Sequence, residues 1–285
     1  MSKVLRSLAC SSILGATLLV PPTAIVYNRL VNYGPMAQAT TTPQTLMIKA
    51  NDLAELPSGL GSWHIVGCGV TALIGWTIPG VSGKPATGPC AVGQDRIFAS
   101  YTSFQRAVIN GTEVAGNTII FDPESWIYTP TVEKDNLVKY EVLAGQLARA
   151  NGIGIIYTPQ DTNRAELDAE YRACAKYATA IELQTQYQQY RATAFKKAVQ
   201  EDLAAIRAVN TSVPVLVGYA TDPGGKPALV SRMVASYKSV VGLIQGFQLN
   251  LARWRAPIGR GCAPSGCPDI GVTFLQSIGI VGKLR

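Results

Sequence analysis

The amino-acid sequence predicts an α/β fold, a (β/α)8 barrel of the TIM type, either regular or incomplete and distorted. Short apolar runs typical of strands alternate with amphipathic stretches typical of helices from residue 95 onward, and this alternation implies βαβ units around a parallel sheet. The chain has 285 residues, and a TIM barrel typically needs about 250. No glycine-rich GxGxxG or GxxxxGK loop follows a predicted strand, which argues against the alternative, a doubly wound nucleotide-binding sheet.

The predicted strands are runs of β-branched and aromatic residues bounded by turn residues. They cover residues 96–101, 118–122, 152–158, 179–187, 213–219 and 243–251. The predicted helices cover residues 102–110, 136–151, 165–177, 192–209, 227–241 and 270–278. In the helix at 136–151, apolar residues recur at three-and-four spacing, and Asn151 with Gly152 ends it. Two further strands, at 46–49 and 64–66, are candidates to complete the barrel.

Residues 1–39 have the features of an export signal. Two early basic residues precede an apolar run at 8–20, and the small-residue pattern AQA at 37–39 offers a cleavage point. Two prolines interrupt the apolar segment, so an uncleaved N-terminal anchor is the alternative. The sequence therefore predicts a leader, a single barrel domain at 40–285, and a secreted, periplasmic or cell-envelope location. Membrane contact is expected only through the leader, if it is retained.

Composition and charge exclude several classes of function. A hydrophobic content of 47% is ordinary for a globular core, and the net charge of +7 is spread without a Lys/Arg run, so nucleic acid is not an expected partner. His64 is the single histidine and no GxSxG elbow is present, which disfavours Ser/His/Asp and Cys/His catalysis. The expected partner is a carbohydrate or another small polar ligand, with no cofactor and no metal.

The cysteines suggest an oxidising compartment. Cys262 and Cys267 suit a small disulfide-closed loop, and Cys68 and Cys90 are a candidate second pair. A zinc site is the competing interpretation, but no CxxC spacing occurs. Cys174 lies on a helical pattern and is predicted to be a buried, inert thiol.

The stretch NTIIFDPESWIYTPTVE, residues 117–133, carries the main candidate site. In an extended chain Ile120, Asp122 and Glu124 project to the same side, so the two acids emerge together at the carboxyl end of a strand. In parallel α/β folds that end is where ligands bind. Trp126 follows in the same loop, and an aromatic ring beside two acids is a common sugar subsite. The alternative is that the acids cap a helix or pair with arginines while Trp126 packs.

Carboxylates, amides and aromatic rings at the strand ends predict a carbohydrate site. The candidate catalytic residues are Glu124 as general acid, Asp122 assisting, and Glu182 or Asp222 as a second carboxylate from across the barrel mouth. Gln160 follows the strand at 152–158. The candidate substrate-binding residues are Tyr101, Trp126, Tyr157, Gln184, Gln186, Tyr219, Asp222, Gln248 and Asn250.

The segment DPESWIYTPTVE, with IFASYTSF upstream and GIGIIYTPQ downstream, resembles a group of exported bacterial proteins. These are uncharacterised, glycoside-hydrolase-like barrels with a DPExWxxTPxxE signature, so the resemblance implies a TIM-type barrel outside the cytoplasm. The DxE also resembles the end of the family 18 chitinase motif, which implies an acid role for Glu124 and a positioning role for Asp122. The sequence departs from that motif at Thr118 and Ile120, where aspartates are expected.

The sequence leaves three functional hypotheses. The first is a secreted glycosidase-like hydrolase that uses carboxylate acid/base chemistry. The second is a non-catalytic glycan-binding or cell-envelope barrel. The third is a carboxylate–metal enzyme with Asp122, Glu124 and Glu182 around Mg²⁺ or Mn²⁺.

Overall fold

The computed structural model describes only part of the chain. The described residues are 45–48, 64–66, 96–124, 128–160, 163–223, 226–251 and 267–280. All of them lie within one compact unit, Tyr33–Arg285. The predicted leader, Trp126, and the cysteines Cys68, Cys90 and Cys262 lie outside the described residues, so the predictions made for them stay predictions.

An all-parallel sheet forms the centre of the fold. Its eight strands follow one another in the order β2-β1-β8-β7-β6-β5-β4-β3, and each described pairing is parallel. The strands are β1 Thr45–Ile48, β2 His64–Val66, β3 Arg96–Phe98, β4 Thr118–Phe121, β5 Gly154–Tyr157, β6 Ala180–Leu183, β7 Val215–Ala220 and β8 Gly246–Asn250. The predicted parallel α/β architecture is therefore confirmed.

The sheet curls, because its last strand in the chain pairs with its first. Thr45 of β1 lies opposite Gly246 of β8, and Ile48 opposite Leu249. Among the described residues no pairing joins β2 to β3. The described part is thus a curled sheet resembling an open barrel, and it fits the predicted TIM barrel only loosely.

Helices alternate with the strands along the chain. They are α1 Tyr101–Ile109, α2 Thr131–Lys134, α3 Leu137–Ala150, α4 Arg164–Cys174, α5 Ala192–Arg207, α6 Val230–Val240 and α7 Pro268–Ser277. Side-chain caps fix two of their starts: the Ser100 oxygen accepts the Ser103 N–H at 3.1 Å, and the Asn163 oxygen accepts the Ala165 N–H at 3.0 Å. No helix in the described part is both long and apolar enough to span a membrane.

Alternation along the strands divides the buried residues into two layers. The large layer lies between the sheet and the helices, and strand residues such as Phe121, Tyr157 and Tyr219 pack there with helix residues such as Phe195 and Phe274. The small layer consists of strand residues alone and lines the inner face of the curled sheet. Its members are Met47, Ile120, Ile156, Ala180 and Leu216, with Ile97 partly buried against them.

Two predicted strands are clearly shorter than expected. The strand predicted at 96–101 ends at Phe98, and Tyr101 begins α1 instead, because Ser100 caps that helix. The strand predicted at 179–187 ends at Leu183, and residues 186–190 form a turn. Gln184 and Gln186 are therefore carried by the loop after β6 rather than by the strand, and their amides contact other side chains.

Cys174 is a buried thiol on α4, as its sequence pattern predicts. Burial raises its pKa well above the usual value, and the negative charges of Glu141 and Glu170 raise it further. A thiol held in its neutral form is a poor nucleophile, so the inert role stands.

Candidate functional site

The first two acids of residues 122–133, the DPE segment, follow β4 directly. They continue the alternation that points Ile120 of β4 to the inner face of the sheet. Ile120 belongs to the inner layer, and Asp122 follows it by two positions. The backbone N–H of Asp122 donates to the Phe98 carbonyl at 2.9 Å, which keeps the chain paired with β3 past the end of β4. Asp122 and Glu124 are both half-buried.

A single amide nitrogen joins the two acids. Gln184 Nε2 lies 3.2 Å from Asp122 Oδ1 and 3.0 Å from Glu124 Oε1. The two carboxylate oxygens are therefore no more than about 6 Å apart. The same nitrogen also donates to the Thr158 carbonyl at 3.2 Å, so its two hydrogens are shared among three acceptors.

Residues that follow β5 supply further donors. Thr158 Oγ1 donates to Asp122 Oδ1 at 2.6 Å. In the orientation that satisfies both ends of the Gln160 amide, its nitrogen donates to Glu124 Oε1 at 2.7 Å and to Oε2 at 3.2 Å. Thr158 and Gln160 follow the inner-layer residue Ile156 by two and four positions, so they continue its phase. Donors from the residues after β5 therefore help to hold both acids in place.

Glu182 lies beneath this pair on the inner face of β6. Its side chain is only 1% exposed. Burial raises the pKa of its carboxyl group well above the usual range, and the nearby negative charges of Asp122 and Glu124 raise it further. Within the described structure Glu182 Oε1 has no hydrogen-bond partner.

Gly218 of β7 provides the space that Glu182 and Gln186 occupy. A Cβ on this residue would lie 2.5 Å from Glu182 Oε1 and 2.8 Å from Gln186 Oε1, so a methyl group there would displace the ends of both side chains. Gln186 Nε2 donates to Gln184 Oε1 at 3.0 Å. The absence of a side chain at Gly218 therefore leaves room for the Gln186 amide to bond to the Gln184 amide, which in turn contacts both acids.

The remaining polar candidates lie along β7 and β8. In register, Gln248 pairs with Gly218 on one side and with Met47 on the other, and Asn250 pairs with Ala220. Their neighbours in sequence, Phe247, Leu249 and Leu251, face the helices, so Gln248 and Asn250 face inward. Asp222, just beyond β7, is buried, and burial raises its pKa.

Three predicted tyrosines are not brought to this cluster. Tyr157 faces the helices, where its hydroxyl donates to the Glu141 carbonyl at 2.8 Å. Tyr219 is fully buried with its ring stacked on Phe195 at 5.3 Å. Tyr101 begins α1 and its ring lies 5.9 Å from that of Tyr140. Tyr157 and Tyr219 belong to the core between sheet and helices, since their alternation phase is opposite to that of the inner face. Tyr101 lies on a helix and packs against the same core.

Sequence analysis missed two residues of the cluster, Thr158 and Gly218. The signal for Thr158 was present, because it stands two positions after Ile156 as Asp122 stands two after Ile120. Gly218 gave no such signal: its role depends on the register that sets Leu216 of β7 opposite Glu182 of β6.

An open groove lies beside the loop after β6. Its volume is about 560 Å³, and it is lined by Tyr187, Gln188, Tyr190, Arg191, Ala194 and Arg232. Tyr187 is 59% exposed, and the hydroxyl of Tyr190 donates to the Pro223 carbonyl at 3.3 Å. Rings and polar groups of this kind offer contacts to a carbohydrate chain.

The described residues contain no group of three or more His, Cys, Asp or Glu side chains arranged to hold a metal ion. The geometry therefore gives no support to the metal hypothesis. Comparisons with protein-family models and with curated protein sequences found no match. The fold and the cluster define a class in structural terms: an α/β protein with a curled parallel sheet and paired carboxylates at its carboxyl-end edge.

Proposed function

We propose that this protein is a glycoside-hydrolase-like enzyme that acts on a sugar or glycan at the inner carboxyl-end edge of its sheet. Glu124 donates a proton to the leaving glycosidic oxygen, and Asp122 positions the substrate. A water molecule attacks the anomeric carbon, and Asp222 is the second carboxylate that takes the proton of that water. The observation that carries the proposal is the Gln184 amide nitrogen, which lies within hydrogen-bond distance of both acids. Paired acids at this edge suit the carboxylate chemistry of glycoside hydrolysis.

The surroundings of the two acids also favour this chemistry. Amides from Gln184 and Gln160 contact Glu124, so its orientation is set before a ligand arrives. Asp122 receives a separate hydrogen bond from Thr158. Preorganised groups of this kind lower the cost of ordering the site during reaction. Both acids are half-buried, which leaves them open to a ligand.

A closed (β/α)8 barrel is part of the proposal. The strand order is that of a ring in chain order with β8 beside β1, and pairing of β2 with β3 would close it. The expected carbohydrate partner and the location outside the cytoplasm rest on the composition of the site and on the leader-like residues 1–39.

The alternative is a glycan-binding barrel without turnover. The groove lined by Tyr187, Tyr190 and two arginines favours it, because the exposed Tyr187 ring and the guanidinium groups can bind a saccharide without chemistry. In that case Asp122 and Glu124 would only accept hydrogen bonds from ligand hydroxyls.

A paired screen separates the two functions. The full chain is incubated with a panel of glycans, with new reducing ends measured in one assay and binding measured by calorimetry in another. The hydrolase proposal expects at least one glycan to be cleaved by the wild type. Binding without cleavage across the panel would favour the alternative, and neither binding nor cleavage would reject both.

A further inference from the structure

Two buried oxygen atoms converge above Gly218. Glu182 Oε1 and Gln186 Oε1 lie 2.5 Å and 2.8 Å from the position that a Cβ on Gly218 would occupy. Neither oxygen has a hydrogen-bond partner within the described structure. The two oxygens are therefore no more than about 5 Å apart. Two buried acceptors this near each other, with no donor between them, are a costly arrangement.

The orientations of the Gln184 and Gln186 side-chain amides explain why the Gln186 oxygen, an acceptor, lies towards Glu182. Gln184 must present its NH₂ to Asp122, Glu124 and the Thr158 carbonyl, because all three are acceptors. Its oxygen is thereby turned to Gln186, which donates to it at 3.0 Å. Only the oxygen of Gln186 is then left to face Glu182.

We propose that Glu182 remains protonated at neutral pH and donates its carboxyl hydrogen to Gln186 Oε1. The chain of hydrogen bonds then runs in one direction, from Glu182 through Gln186 and Gln184 to the carboxylates of Asp122 and Glu124. Glu182 is a positioning residue for these acids and not a second catalytic carboxylate. Its effect on catalysis rests on the proposed function, whereas its protonation does not.

Electrostatics supports the neutral form. Glu182 is 1% exposed, and in the part of the chain that the structure describes the titratable groups around it are Asp122 and Glu124 after β4 and the Tyr171 phenol on α4. Burial and the two acids raise the pKa of Glu182. None of these neighbours supplies a positive charge to stabilise an ionised Glu182.

A pH-dependent unfolding experiment tests the protonation directly. The Glu182→Gln variant keeps an NH₂ donor for Gln186 but cannot ionise. The pKa of the Glu182 carboxyl group is higher in the folded protein than its usual value of 4.5. The wild type therefore loses stability as the pH rises from 4.5 towards the pKa of the folded state. The difference in Tm, variant minus wild type, should be smallest near pH 4 and should grow up to pH 8.

Glu201→Gln, at an exposed position within α5 away from its N-terminus, is the matched control, and its Tm difference from the wild type should show no comparable growth with pH. A second readout uses ¹³C-labelled glutamate. The carboxyl resonance that disappears in Glu182→Gln should keep its protonated shift at pH 7 in the wild type. A pH-independent Tm difference, or an ionised shift at pH 7, would overturn the proposal.

Activity gives a third readout once a substrate is known. Glu182→Leu removes the donor and should lower kcat/KM by about tenfold, the equivalent of one ordinary hydrogen bond, and Glu182→Gln should restore most of that loss. Failure of rescue in a folded Glu182→Gln protein would contradict the positioning role. A failed substrate search would count against the proposed function alone, because the Tm and NMR readouts need no substrate.

Discussion

The Glu133 carboxylate holds the start of α1, with Oε2 accepting the backbone N–H of Tyr101 at 2.6 Å. Its other oxygen accepts both the N–H of Thr102 at 3.0 Å and the Thr102 hydroxyl at 2.6 Å. Thr129, earlier in the same segment, donates its hydroxyl to the Ala99 carbonyl at 2.8 Å. Residues 129–133 therefore hold the loop after β4 against the loop after β3. This contact helps to fix the position of Asp122 and Glu124.

Replacing Glu133 with Ala should destabilise the fold. The side chain is fully buried, and its loss leaves helix N-terminal N–H groups without their acceptor. We expect the free energy of unfolding to fall by about 2–3 kcal/mol, measured by urea denaturation. Glu201→Ala, at an exposed position within α5 away from its N-terminus, is the control and should change stability little. Equal stabilities for the two variants would contradict this structural role.

The buried carboxyl group of Glu141 makes the stability of the folded protein depend on pH. It is fully buried on α3, and its pKa is raised well above the usual value of 4.5, first by burial and then by the negative charge of Glu170. The native state therefore holds this proton more tightly than the unfolded state. Stability contributed by the neutral form is complete below pH 4.5 and is lost as pH rises towards the folded pKa.

The Glu141→Gln variant should remove this contribution to the pH dependence. Its unfolding free energy should match the wild type most closely near pH 4 and exceed it increasingly at higher pH, with a slope of at most about 1.4 kcal/mol per pH unit. Urea unfolding at a series of pH values measures this difference. Parallel curves for the variant and the wild type would show that Glu141 titrates normally.

Gly145 allows α3 to pack closely against two tyrosines. A Cβ there would lie 2.4 Å from Tyr177 Cγ and 2.5 Å from Tyr157 Oη. Gly145→Ala should therefore destabilise the protein by about 1–3 kcal/mol through overpacking, although alanine is the better helix former by about 1 kcal/mol. Gly242→Ala is the matched control, since no atom lies within 4 Å of its added Cβ. A stabilised Gly145→Ala protein would contradict the close packing.

The sequence predicted the parallel α/β architecture because its periods are clear, whereas the described sheet fits the predicted TIM barrel only loosely. The strands at 118–121, 154–157 and 215–220 and the long helix at 192–207 lie where apolar runs and three-and-four spacing indicated them. Residues 184–187 were wrongly assigned to a strand. Their polar alternation looks like a half-buried strand, but Gln184 and Gln186 bond to side chains instead of extending the sheet ladder.

The sequence could predict site residues only where alternation along a single strand determines which side chains face inward. Ile120 fixes the phase that carries Asp122 and Glu124 inward, whereas Tyr157 and Tyr219 were chosen by residue type and lie in the opposite phase. The contact of Gln184 with both acids depends on how β4, β5 and β6 are staggered. That stagger is a tertiary property, so no spacing within a single segment reveals it.

The rate of glycan cleavage by Glu124→Gln, relative to wild type and to the control Glu166→Gln, tests the central claim most directly. Gln at position 124 keeps the size of the side chain but cannot exchange a proton, so we expect a loss of at least about a hundredfold, with unfolding and glycan binding little changed. Glu166→Gln should cleave at the wild-type rate. Cleavage by Glu124→Gln at the wild-type rate would contradict the assignment of Glu124 as the acid.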